Sequence, residues 1–189
     1  MTTNNHTLAT QPPINTKSDV LPLQSGSPPP TISLPFQVLI ASLGTKDVSD
    51  SISIAANAAI SALSSCFRHA TLSSLRATIH PSAIAVSNPT TVSLVWVPAN
   101  STATPSQILN VFGGQTFCVG GAMQSTTPID VPCNLSNVNP ILKSSVTFSD
   151  TPKLLLESKT LASPPTSPTC TVTISGFVQL HSPLLQSSS

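Results

Sequence analysis

Residues Val172-Thr173-Ile174-Ser175-Gly176-Phe177-Val178-Gln179-Leu180-His181 set the reading of the whole chain. Val172, Ile174, Val178 and Leu180 oppose Thr171, Thr173, Gln179 and His181, a two-residue period that gives a strand one dry and one wetter face. The same period recurs upstream. Ile32, Leu34, Phe36, Val38 and Ile40 alternate with mostly polar neighbours. Ile52 and Ile54 alternate with Ser51 and Ser53, and Leu75, Ala77 and Ile79 oppose Ser74, Arg76, Thr78 and His80. Val92, Leu94 and Trp96 oppose Thr91, Ser93 and Val95. Weaker strands are expected at Gln115 to Val119, Ile129 to Cys133 and Lys153 to Ser158. That makes eight, the number in an antiparallel jelly-roll β-sandwich, so the expected fold class is all-β with short connecting helices.

Two stretches depart from the period. In Asn57 to Phe67, the residues Ala59, Ile60, Leu63, Cys66 and Phe67 share one helical face, with Asn57 as N-cap. In Thr104 to Phe112, Thr104 caps, Pro105 takes the first helical position and Gly113-Gly114 stops the helix. A further helical turn is expected near Ser136. The 19 prolines exclude long helices and favour turns and edge strands. Residues 1–30, rich in Thr, Asn, Pro and Ser, read as a flexible N-terminal arm, and 31–189 as the single folded domain.

Charge is the most unusual property. Seven Lys and Arg face six Asp and Glu, so charged residues are 7% of the chain against about 25% in ordinary domains. Hydroxyls supply solubility instead, and such a surface does little to repel copies of itself. The N-terminal arm has one Lys, one Asp and one His, and is therefore not a basic nucleic-acid-binding arm. If nucleic acid is a partner, other cations must balance its charge.

The start of the chain, MTTNNHTLATQ, has no apolar signal core, and no apolar run is long enough to span a bilayer. Without a secretion signal, Cys66, Cys118, Cys133 and Cys170 are expected as free thiols. The sequons at Asn5, Asn100 and Asn134 then read as chance matches.

An enzyme is not expected. No G-x-S-x-G elbow is present, and the single Glu, Glu157, lies in an apolar strand. Gly113-Gly114 and Gly120-Gly121 precede no G-K-[ST] and read as element stops, not phosphate loops. Cys66-Phe67-Arg68-His69 has the spacing of half a zinc site, but no second pair completes it, so Cys66 reads as a small buried hydrophobe at a helix end. His69, beside Arg68, and His181, on the polar face of the last strand, are ordinary surface histidines or a charge that appears only in mild acid.

Ordered blocks of sequence then converge on one family. They include Leu34-Pro35-Phe36-Gln37, Gly44-Thr45-Lys46-Asp47, Phe67-Arg68-His69-Ala70 and Asn88-Pro89-Thr90-Thr91-Val92. Trp96-Val97-Pro98-Ala99-Asn100-Ser101 and Gly113-Gly114-Gln115-Thr116-Phe117 are the most specific, and His181-Ser182-Pro183-Leu184 closes the set. From about residue 34 to 185 the chain resembles the coat proteins of tymoviruses, the turnip yellow mosaic virus group. The resemblance implies a T=3 icosahedral shell of pentamers and hexamers of one chain, packaging positive-sense single-stranded RNA. It implies a virion protein assembled inside the infected cell, with polyamines and divalent cations as RNA counterions and no other cofactor. It places His69 and His181, with Arg68 beside them, where the family carries interior histidines facing RNA. Some relatives have Lys at the second position, and Phe67 and Phe112 stand where relatives often have Tyr. The rival reading is a secreted β-sandwich for adhesion or carbohydrate binding, which predicts a signal peptide or disulfides.

Overall fold

Hydroxyl-rich alternation produces strands that are wet on one side, and these pair into two antiparallel sheets. The structure, a computed structural model, describes residues 31–121, 127–160 and 163–184. The expected N-terminal arm, residues 1–30, lies outside the described residues.

The strands are β1 (Ile32–Leu43), β2 (Val48–Ser53), β3 (Phe67–Pro81), β4 (Thr90–Pro98), β5 (Gln115–Val119), β6 (Ile129–Pro132), β7 (Ile141–Lys143), β8 (Pro152–Lys159) and β9 (Cys170–Pro183). One sheet runs β1-β9-β3-β6, with β7 beside β6 on the same edge of β3. The other runs β2-β8-β4-β5. The chain crosses between sheets at most connections, which is the jelly-roll path. Among the described residues the strand count is nine rather than eight, because the short β7 adds to the two sets of four.

The sheets bury Phe36, Leu72, Leu75, Ile79, Ile174, Val178 and Leu180 from one side against Val92, Leu94, Leu154 and Leu156 from the other. A second, smaller core lies on the outer side of β4 and β8. Val95, Val97 and Leu155 are covered there by Ile108. This corrects the reading of Val95 as wet-facing: β4 is buried on both faces because the segment after it folds back over it.

The connecting helices are shorter than expected. The first, α1 (Ala58–Ser64), is capped by Asn57, whose Oδ1 accepts from the N–H groups of Ala59 (3.1 Å) and Ile60 (3.4 Å). Phe67, expected to end it, instead begins β3. The second is a 3-10 helix, Pro105–Asn110, where Gln107 Oε1 accepts from the Thr104 N–H at 3.1 Å. Near Ser136 there is a turn, not a helix, held by the Asn134 side chain accepting from the Ser136 N–H at 3.0 Å.

At one end of the sandwich, Thr169 joins three connections. It is fully buried. Its N–H and hydroxyl both donate to Leu43 O, at 2.9 and 3.2 Å, and its carbonyl accepts from the Ser82 N–H at 2.8 Å. Gly44, at φ +98°, lets the chain turn tightly here, since a Cβ at that position would sit 2.0 Å from Thr169 Oγ1.

Candidate functional site

The opposite end of the sheet holds the two histidines named from sequence. His69 near the start of β3 and His181 near the end of β9 are direct cross-strand partners. Their rings stack, with centroids 4.6 Å apart and planes 18° from parallel. Alternation puts both on the outer face of the sheet, because Ala70 and Leu180 next to them are fully buried in the core. Beyond His181, Ser182 adopts φ 57°, and the chain turns so that the Leu184 N–H donates to Cys66 O at 2.8 Å. That clip ties the end of β9 to the start of β3 and holds the pair in register.

Arg68 is exposed and lies on the opposite face of β3 from His69. The structure therefore brings His69 and His181 together and sets Arg68 around the strand from them. Cys66 is exposed, which corrects its reading as a buried hydrophobe. All four cysteines are free, as expected. Among the described residues no three His, Cys, Asp or Glu side chains gather to hold a metal, and no helix is long and apolar enough to cross a membrane.

The basic side chains of the described residues are mostly engaged within the subunit, which sequence reasoning did not foresee. Lys143 Nζ donates to the carbonyls of Ser64 (2.9 Å) and Ser65 (3.3 Å) and so caps the C-terminal end of α1. Lys153 Nζ donates to Ala99 O (3.1 Å) and Ser101 O (2.7 Å), pinning the loop after β4. Arg76 pairs with Asp130 at 3.4 Å, and Lys159 lies 3.5 Å from both Asp47 and Glu157. Arg68 and Lys46 alone among the described Lys and Arg residues have neither an ion pair nor a hydrogen bond. Around the stacked pair, none of β3, β7, β9 and α1 carries an Asp or Glu. An anion approaching the rings meets no carboxylate from these elements.

A second kind of surface is apolar. Phe112 is 96% exposed, Leu109 68%, Leu39 61% and Val146 60%. Apolar side chains this exposed are available for contact with other copies of the chain.

Comparison with known proteins places this geometry. The family model described as tymovirus coat protein matches residues 20–189. The capsid protein of Kennedya yellow mosaic virus (strain Jervis bay) is 62% identical over 97% of this chain and 98% of its own length. Among solved structures, that of Desmodium yellow mottle tymovirus superposes with a TM-score of 0.85 at 57% identity, covering 90% of this chain and 97% of that one. An empty head of turnip yellow mosaic virus superposes with a TM-score of 0.83 at 44% identity, covering 90% of each. These relatives are capsid proteins, which gives the chain a structural, non-enzymatic role as a virion component that self-assembles into a shell, and the adhesion-module reading has no support. With jelly-roll sheets, exposed apolar surface and a near-absence of charge all in agreement, the chain belongs to the tymovirus coat protein family.

Proposed function

We propose that copies of this chain close into a T=3 shell of pentamers and hexamers around positive-sense single-stranded RNA, with His69 and His181 on the surface that meets the genome. The observation that carries this reading is the stacked pair itself: two imidazoles side by side, half-buried on one face of the sheet, with no acid on the elements that pack around them. Imidazole is the side chain that gains charge between about pH 8 and pH 5. Protonated rings attract phosphate, whereas neutral rings do so weakly. The charged and titratable groups nearby are Arg68 on the reverse of β3, Lys143 on β7, tied to the carbonyls of α1, and the exposed Cys66 thiol.

Because four of the six described Lys and Arg side chains, Arg76, Lys143, Lys153 and Lys159, are held by groups of the subunit itself, the protein supplies little fixed positive charge to RNA. Polyamines and divalent cations fill that role under this reading. The shell is then held by protein contacts, and empty shells form without a genome. The solved empty head of turnip yellow mosaic virus is one such particle in a relative.

The test is RNA retention by assembled particles at pH 7 and pH 5, for the native chain and for the His69→Asn/His181→Asn double variant. The proposal expects tighter retention at pH 5 in the native chain and a flat response in the variant. An unchanged pH response in the variant contradicts it.

A further inference from the structure

The outer face that carries the histidine pair continues along β9 through Gln179 and Phe177 to Ser175. Midway along the sheet, β3 bulges between Leu72 and Ser74. Gly176 faces the bulge, and a Cβ there would lie 2.2 Å from Ser74 O, so only glycine permits this approach. Beside it lies a groove of about 650 Å³ whose lining includes Pro35, Gln37, Arg76, Pro132, Ser175 and Phe177.

We propose that this groove takes a nucleobase of the packaged single-stranded RNA, stacked on Phe177 and contacted at its edge by Gln37 and Arg76. The inference rests on the reading that His69 and His181 face RNA. Single-stranded RNA is held by aromatic or guanidinium planes under its bases and by cations along its backbone. Phe177 is an aromatic ring left 48% exposed on the face of a sheet, although the core is near. Arg76 is fixed in place, its Nε donating to Ser175 Oγ at 3.2 Å and its guanidinium paired with Asp130 at 3.4 Å. Asp130 also accepts from the Thr78 hydroxyl at 2.6 Å, so its charge is engaged and repels phosphate less. Gln37 is exposed and offers both amide donors and a carbonyl acceptor to a base edge. Phe177 and His181 are four residues apart on one strand, about 13 Å at 3.3 Å per residue. A short run of nucleotides therefore reaches from a base in the groove to phosphates at the imidazoles. The two most exposed apolar side chains, Leu109 and Phe112, lie in and just after the 3-10 helix over the other sheet, so contacts between copies have apolar surface away from the groove, although Leu39 shares its face of β1.

The experiment is photocross-linking of particles assembled on single-stranded RNA containing 4-thiouridine, with the linked peptides mapped by mass spectrometry. Cross-links are expected in the segments around Phe177 and Gln37 as well as around His69 and His181. Phe177→Ala should lower the groove cross-link by about tenfold, the scale of one lost base–aromatic stack, and Phe177→Trp should retain it. Cross-links at the histidines but none in the groove overturn this proposal and leave the RNA-facing reading intact. Cross-links at neither site overturn both. If Phe177→Ala fails to assemble, the native map decides. A protein–protein cross-link from the groove to another copy, in place of the RNA one, overturns the proposal.

Discussion

Thr90 and Thr169 share a buried hydroxyl–hydroxyl hydrogen bond of 2.5 Å at the end of the sandwich away from the histidines. Because the Thr169 hydroxyl donates to Leu43 O, Thr90 is the donor between the two. The bond joins the connections after β1, before β4 and before β9 at a dry point, where a lost partner cannot be replaced by water.

Thr169→Val keeps the volume and removes the hydroxyl, so Leu43 O loses one donor and the Thr90 hydroxyl its acceptor. We expect a loss of about 1 to 3 kcal/mol. Thr90→Val should cost a similar amount, and the double variant less than the sum, since the two share one interaction. Urea unfolding of dissociated subunits measures this as a fall in midpoint at constant slope.

Burial divides the four thiols. It pushes the Cys133 thiol up to about 12 and raises that of Cys170, whereas Cys66 and Cys118 are exposed. A raised folded value keeps a thiol protonated and unreactive through the neutral range. A thiol reagent at pH 8 should therefore modify Cys66 and Cys118 in the native subunit and all four after denaturation, counted by mass spectrometry.

Acid should act on RNA binding at the histidine pair before it loosens the loops at the opposite end of the sandwich. The Thr160 N–H and hydroxyl, each 2.8 Å from Asp47 Oδ1, hold its carboxyl below the ordinary 3.8, with Lys159 adding to the effect. A depressed folded value means that this clamp is intact above the ordinary range and is lost only as pH falls through the depressed value. Between pH 7 and pH 5 the clamp therefore holds. The salt dependence of RNA binding should steepen at pH 5, by about 0.7 in log–log slope for each phosphate engaged. His69→Asn/His181→Asn should remove that increment, as filter binding at several salt concentrations would record.

Few ion pairs are available to hold copies together, so apolar burial must dominate their contacts. Assembled shells should persist in molar sodium chloride at neutral pH, because salt screens charge but does not weaken apolar burial. Analytical sedimentation distinguishes intact shells from subunits. Dissociation under these conditions would contradict a contact surface of this kind.

The long strands and the jelly-roll class were legible because Val172 to His181 and Ile32 to Ile40 keep a strict two-residue period. β7 was not, since Ile141-Leu142-Lys143 is too short to show one. Phe67 fits the helical spacing of Ile60 and Leu63, yet pairing with β9 draws it into β3. Val95 looked wet because its cover, Ile108, arrives from a later segment. Both histidines were named from sequence, but their stacking depends on the register of two strands distant along the chain, which local pattern does not encode. The groove at Phe177 left no sequence signal, because it arises from a bulge in one strand meeting a glycine in another.

Cryo-electron microscopy of RNA-filled particles tests the central claim most directly. The account predicts a T=3 shell in which the outer face of the β1-β9-β3-β6 sheet turns its His69–His181 end inward, with RNA density against the rings. A shell with that pair on its exterior, or sealed between subunits away from RNA, would contradict it.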